Sequence, residues 1–179
     1  MKSCTYWWYL HQNSGAGLHK LKSVRISNLS DNLKRQFSRA GEESVAVYRS
    51  NTWTLTKKLE QKLDGSYTRM LRTVLNISWK DHPTKQRLYG KLKSVSSSIK
   101  ERRLRFAGHC YRSKKELVSN VILWQPKHGK TSVGRPRKTY YQQIAEDANC
   151  EVEDLHTLMS NRDEWRERVQ MIRAISPSG

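Results

Sequence analysis

The sequence predicts a mainly α-helical protein with six or seven helices. Apolar residues recur at helical spacing through most of the 179-residue chain, and several of these runs begin at side chains that cap helices. Alternation of apolar and polar residues, which is typical of half-buried strands, is nearly missing. Only residues 44–48 and 118–123 are rich enough in β-favouring side chains to compete, and both also fit buried helical turns.

The N-terminal half holds the clearest helical pattern. Residues 1–17 show no periodicity, so we expect a loosely ordered leader there. Ser30 is a candidate N-cap for a first helix, in which Leu33, Phe37, Ala40, Ser44 and Val47 recur at helical spacing. A stronger helix follows Thr56, and Asp64-Gly65 is a candidate kink within it. Its apolar stripe consists of Leu55, Leu59, Leu63, Tyr67, Met70, Leu71 and Val74, and the cations expected on its other faces are Lys57, Lys58, Lys62, Arg69 and Arg72.

A basic helix is predicted in the middle of the chain. A short helix closed by Gly90 precedes it, and Ser98-x-x-Glu101 is a capping-box pattern that predicts a start at Ser98. We expect the core-facing residues to be Ile99, Phe106, Ala107 and Cys110. The cations expected on the other faces are Lys100, Arg102, Arg103, Arg105 and Arg112. Another helix is expected over residues 116–124.

Two helices are predicted near the C-terminus. Thr139-x-x-Gln142 and Asn161-x-x-Glu164 are capping patterns that mark their starts. The tryptophans expected in the core, rather than as platforms for nucleic-acid bases, are Trp53, Trp79, Trp124 and Trp165.

The charge distribution points to a polyanionic partner. The formal net charge is +18, and residues 1–145 carry +22 while residues 146–179 carry −4. A surplus of cations of this size attracts nucleic acid, and a membrane surface is the alternative polyanion. An arginine of the basic helix, Arg102 or Arg105, is also a candidate partner for the acidic tail.

An extended basic connector, residues 125–138, contains the most specific binding pattern. Gly134 and Pro136 favour an extended backbone around Arg135, a shape that fits a narrow minor groove. The alternative is a basic surface loop. The predicted nucleic-acid-binding residues are Lys100, Arg102, Arg103, Arg105, Arg112, Lys127, Lys130, Gly134, Arg135, Pro136, Arg137 and Lys138.

The patterns of catalytic and metal sites are weak. The acidic doublets Glu42-Glu43, Glu146-Asp147, Glu153-Asp154 and Asp163-Glu164 fall on predicted helices, where neighbours point about 100° apart. Solvated faces are therefore a better interpretation than a two-metal site, and we assign no catalytic residue, metal or cofactor. A zinc site from His109, Cys110, Cys150 and His156 fits no standard spacing.

The three cysteines are widely spaced, which favours an intracellular, reducing location, nuclear or cytoplasmic, over secretion. The apolar run before residue 11 is too short for a signal sequence or a membrane span, so we expect no membrane attachment.

An ordered series of motifs carries a family resemblance. The segments are Thr52-Trp53-Thr54-Leu55-Thr56-Lys57, Leu63-Asp64-Gly65-Ser66-Tyr67, Asn76-Ile77-Ser78-Trp79, Arg102-Arg103-Leu104-Arg105-Phe106-Ala107-Gly108-His109, Gly134-Arg135-Pro136 and Asp163-Glu164-Trp165-Arg166. In this order they resemble the C-terminal part of a non-LTR (LINE-type) retrotransposon endonuclease-reverse transcriptase.

The resemblance implies a domain organisation and a function. It implies a thumb-like helical region at 18–82, a basic helical region at 83–124, the connector at 125–138 and an acidic-leaning helical tail at 139–179. The implied function is non-catalytic binding of template, primer or target backbone, because the family's polymerase palm and endonuclease motifs are missing from this chain. Two alternatives stay open: a fragment that works with a palm supplied by another chain, and an inert product of a decayed element.

Overall fold

The computed structural model describes residues 24–44, 47, 48, 50–113, 116–124 and 138–174. The protein is mainly α-helical, as predicted, and these residues contain no β-strand. They form two compact units. The first unit holds the described residues up to Tyr48 together with Lys57–Ser96, and the second holds the described residues of 50–56 and 97–174.

The first unit consists of three α-helices and short helical turns. Helix α1 is Asp31–Ser38 and continues into a π-helical turn, Arg39–Glu43. Helix α2 is Lys57–Val74, a 3₁₀ turn follows at Trp79–Asp81, and helix α3 is Lys85–Tyr89. Residues predicted as a thumb-like region therefore share this unit with the start of the predicted basic region.

Helix α1 begins at the predicted N-cap, but its apolar side chains are exposed. The Ser30 hydroxyl accepts a hydrogen bond from the Leu33 amide, which confirms the predicted N-cap. The residues predicted to recur at helical spacing do not form one buried face, since Leu33 and Phe37 are 42% and 55% exposed whereas Val47 is buried.

The reason lies on the opposite flank of α1. The Arg35 guanidinium donates through Nε to the carbonyl of Leu88 at 2.9 Å and through Nη2 to that of Arg87 at 2.6 Å. These carbonyls belong to the end of α3, where backbone acceptors lack helical partners. The polar flank of α1 is thereby held against α3, and the π turn then brings Glu43 and Val47 into the core.

Helix α2 confirms its predicted stripe. Leu63, Tyr67, Met70, Leu71 and Val74 are all buried. Asp64 and Gly65 lie within one continuous helix, so the helix does not end at this pair. The helix is followed by Asn76 in the left-handed conformation, φ 55°, which Asn tolerates better than most residues.

The second unit is built around helix α4, Val95–Tyr111, whose first two residues belong to the first unit. It also contains α5 at Glu116–Ile122, α6 at Tyr140–Ala148, α7 at Leu155–Ser160 and α8 at Arg162–Ala174. The predicted capping box at Thr139 and Gln142 is present at the start of α6. Asn161 accepts from the amides of Asp163 and Glu164 at the start of α8, also as predicted.

The sequence misplaced the start of one helix and missed another helix entirely. Helix α4 begins three residues before Ser98, because the Asp64 carboxylate accepts hydrogen bonds from both the amide and the hydroxyl of Ser96. A carboxylate from another helix therefore replaces the local capping box. Helix α7 was not predicted, because its six residues are too short to show a helical period.

The core of the second unit draws on every helix from α4 to α8. Its buried members are Leu104, Ala107, Cys110, Ile122, Tyr141, Ile144, Ala145, Ala148, Leu155, Met159, Trp165 and Val169. Trp165 is the central contact between α8 and α4, since its indole Nε1 donates to the Leu104 carbonyl at 2.9 Å. A Cβ added to Gly108 would lie 2.2 Å from that Nε1, so the indole fits only because residue 108 has no side chain.

Candidate nucleic-acid interface

Helix α4 presents one cationic edge to solvent. Arg102, Arg105, His109 and Arg112 are exposed, while their neighbours Glu101, Arg103, Leu104, Ala107, Gly108 and Cys110 are buried. The exposed positions recur at intervals of three or four, so they form one line about 15 Å long on the helix surface. We call these four residues the α4 cationic stripe.

The side chains of the stripe differ in the contacts that they make within the protein. Arg102 forms no ion pair with a carboxylate of the described residues. Arg105 pairs with Glu101 at 2.7 Å, and 57% of its side chain stays exposed. Arg112 donates to the Met159 carbonyl at 2.7 Å. Burial, and then repulsion from Arg162, lower the pKa of Arg112, but guanidinium groups remain charged in proteins.

Arg103 does not belong to this surface, and its prediction as a nucleic-acid-binding residue is corrected. Its side chain is fully buried and forms an ion pair with Asp147 of α6. Gln143 donates to the other carboxylate oxygen of Asp147 at 3.1 Å. A fully buried guanidinium cannot meet a phosphate, so Arg103 is a structural residue.

Most described members of the acidic doublets are exposed, as predicted, but Glu43 and Asp147 are not. Asp147 is only 7% exposed, and Glu43 is 6% exposed and accepts a hydrogen bond from the Tyr67 hydroxyl at 3.1 Å. These carboxylates serve the core rather than a solvated face. The predicted link between an arginine of the basic helix and the acidic tail exists, but it uses Arg103 instead of Arg102 or Arg105.

The remaining predicted binding residues divide into two groups. Lys138 pairs with the exposed carboxylate of Glu146, and Lys100 is half-buried and already interacts within the chain. The others lie outside the described residues: Lys127, Lys130, Gly134, Arg135, Pro136 and Arg137.

The tryptophans were predicted only in part. Trp165 is buried as expected, Trp53 is half-buried, and the side chain of Trp79 lies outside the description. Trp124 is 68% exposed, so its assignment to the core is wrong. It lies just beyond α5, whose residues Leu117 and Val121 are also exposed, because this helix buries mainly Ile122.

Sequence reasoning missed a second group of arginines. Arg25, Arg69 and Arg72 line a cleft of about 650 Å³ in the first unit. Arg69 and Arg72 stood out only as cations on the outer side of the α2 stripe, and Arg25 lies in a separate helical turn at 24–26. Helical periodicity does not indicate that the two segments meet, so the sequence carried no usable signal for this site.

Comparison with known proteins adds no assignment: no family model, curated protein or solved structure matches the chain.

The described residues offer few other kinds of site. They bring together no group of three or more His, Cys, Asp or Glu side chains that could hold a metal ion. Burial raises the pKa of both the Cys110 and Cys150 thiols, which keeps them protonated and weakly nucleophilic. Among the described helices, none has the length and apolar character needed to cross a bilayer.

Proposed function

We propose that this protein binds nucleic acid through the phosphate backbone and carries out no bond-making or bond-breaking step. The observation that supports the proposal is the α4 cationic stripe. Every exposed residue from 102 to 112 is an arginine or a histidine. Arginine and lysine contacts to phosphates give affinity without reading sequence.

The geometry favours contacts along a strand rather than recognition of bases. The stripe is linear, and its length of about 15 Å spans two or three phosphates at the roughly 7 Å spacing of a nucleic-acid strand. The side chains lie on an exposed helix surface and contacts to phosphates carry no sequence information, so we expect similar affinity for A·T-rich DNA, G·C-rich DNA and structured RNA at this surface.

The narrower form of the proposal is a non-catalytic remnant of a non-LTR retrotransposon reverse transcriptase. The ordered series of motifs supports it, and the packing of the second unit gives two of these motifs a shared physical role. The Trp165 indole packs against Gly108, and it donates a hydrogen bond to the Leu104 carbonyl. This contact requires both the glycine of one motif and the tryptophan of the other.

The test is a salt titration of binding. Fluorescence anisotropy with a labelled 20-base-pair duplex, from 50 to 200 mM KCl, gives the slope of log K against log salt. The double variant Arg102→Ala/Arg105→Ala should reduce this slope by about two, since each lost phosphate contact removes about 0.9 for duplex DNA.

The matched control removes two arginines of the same unit that lie elsewhere. Arg166 and Arg168 are on α8, one on each side of the acidic residue Glu167. Arg166→Ala/Arg168→Ala has the same net charge as the stripe variant and should leave the slope within about 0.5 of wild type. Equal slopes for the two double variants would show that net charge, rather than the stripe, binds the duplex.

A further inference from the structure

The cleft of the first unit gathers positive charge without its own counter-ion. Three guanidinium groups, from Arg25, Arg69 and Arg72, line it, and the side chains between them are hydroxyls and an amide from Thr73, Asn76 and Ser78. No acidic residue is among the lining residues, and no carboxylate of the described chain forms an ion pair with these arginines.

Two carboxylates belong to segments that contribute lining residues, but neither is itself among the described residues that line the cleft. Asp64 accepts two hydrogen bonds from Ser96, and Asp81 accepts one from the Ser78 amide at 2.8 Å. These bonds come from neutral donors, so neither carboxylate is directly paired with an arginine of the cleft. Lys34 adds to the positive field, since its ammonium group donates to the Arg25 carbonyl.

Arg72 carries a second, independent sign of a missing ligand. Its Nε is buried, and it has no hydrogen-bond partner among the described residues. An unsatisfied buried donor costs about 1–3 kcal/mol, and more for a charged group, so such atoms need an explanation. An anion bound to the other guanidinium nitrogens would offset this cost, because the charge is delocalised over the whole guanidinium group.

The end of α2 compensates only part of this charge. Arg72 lies in the last turn, where the helix dipole supplies the equivalent of about −0.5 charge. Three guanidinium groups therefore leave a surplus of roughly +2.5. A phosphate monoester carries about −1.5 to −2 at pH 7, which fits that surplus better than the single charge of an internal phosphodiester.

We propose that the Arg25–Arg69–Arg72 cleft is a binding site for a phosphate monoester. The described residues that line it include no aromatic side chain, so it holds the phosphate group rather than a base. The monoester comes either from the 5′ end of a nucleic-acid strand, in which case the inference builds on the proposed function, or from a small phosphorylated molecule. Guanidinium forks suit both, because they bind phosphate oxygens in pairs.

The first experiment measures thermal stabilisation of the full chain by inorganic phosphate. A ligand that binds only the folded state raises the melting temperature, so phosphate should raise it more than chloride at equal ionic strength. Arg69→Ala/Arg72→Ala should abolish this difference. Arg25→Ala, at an exposed position outside α2, should reduce it and serves if the double variant does not fold.

The α4 stripe variant separates the two proposals. Arg102→Ala/Arg105→Ala should keep the full phosphate effect, whatever it does to duplex binding. Equal melting temperatures in phosphate and chloride, or a phosphate effect that survives both Arg25→Ala and Arg69→Ala/Arg72→Ala, would overturn the cleft site.

The second experiment identifies the source of the monoester. Two single-stranded 12-mers that differ only in a 5′-phosphate or 5′-hydroxyl are compared by anisotropy. A terminal phosphate in the cleft should strengthen binding about tenfold, with the ratio returning to one in Arg69→Ala/Arg72→Ala. A ratio of one in the wild type, together with a phosphate effect on melting, supports the same site with a small phosphorylated molecule as its ligand.

Discussion

Helices α2 and α4 have similar lengths and are both rich in cations, but they use those cations in opposite ways. On α2, the apolar stripe is buried, and Arg69 and Arg72 lie outside it beside a cleft. On α4, Arg103 is inside the core, where Asp147 neutralises it. An arginine that is fully buried against a carboxylate of its own chain supports the fold, whereas an arginine that is exposed or lines a cleft is available to a ligand.

The largest expected effect concerns the buried arginine of α4. Asp147→Ala should lower the free energy of unfolding by about 3–5 kcal/mol, because it leaves the Arg103 charge buried and unpaired. Glu146→Ala is the adjacent control, since it removes only the exposed pair with Lys138 and should cost about 0–1 kcal/mol. Urea unfolding followed by circular dichroism measures both.

A loss below about 1 kcal/mol for Asp147→Ala would contradict the structural role of Arg103. The comparison sharpens further with Arg103→Met/Asp147→Leu. Replacing a buried ion pair by apolar side chains is often close to neutral, so this double variant should recover most of the stability lost in Asp147→Ala.

The glycines of the two helices predict effects of opposite sign. Gly108→Ala in α4 should destabilise by about 1–3 kcal/mol, because the new Cβ displaces the Trp165 indole from the Leu104 carbonyl. Gly65→Ala in α2 meets nothing within 4 Å and should stabilise by about 0.5–1 kcal/mol through helix propensity. Thermal melts of the two variants, read against wild type, should therefore move in opposite directions.

The smallest expected effect is a pH dependence on α2. Burial, and then the nearby Glu43 carboxylate, raise the pKa of Tyr67 well above its usual value near 10. The folded state then holds the phenol proton more tightly than the unfolded state, so stability is unaffected below pH 10 and falls above it. The contribution is at most about 1.4 kcal/mol per pH unit.

The measurement is urea unfolding between pH 9 and 11. Tyr67→Phe should show a shallower decline with pH than the wild type, even though losing the hydrogen bond to Glu43 lowers its stability at neutral pH. Tyr48→Phe, at a position that is 66% exposed, should decline as steeply as the wild type. Parallel curves for all three proteins would exclude Tyr67 as a source of the dependence.

Local chemistry predicted much of the fold. The caps at Ser30, Thr139 and Asn161 and the stripe of α2 depend on residues three or four apart, and the structure confirms them. Features that depend on distant residues were missed. The start of α4 depends on Asp64, 32 residues away, and the orientation of α1 depends on carbonyls at the end of α3.

The candidate sites follow the same rule. The exposed arginines of α4 were among the predicted residues, because a basic helix is visible in sequence. The burial of Arg103 was not visible, since it depends on a carboxylate 44 residues away. The three-arginine cleft joins residue 25 to a helix that begins at residue 57, and no pattern in the sequence links them.

The capping of α4 by Asp64 has a consequence for deuterium uptake. Amides in the first turn of a helix normally exchange quickly, because they lack helical acceptors. The Ser96 amide is held at 2.9 Å by a carboxylate from α2 and is nearly buried. The Ser96 amide hydrogen should therefore exchange more slowly than is usual for the first turn of a helix. Exchange should require that α2 and the start of α4 separate.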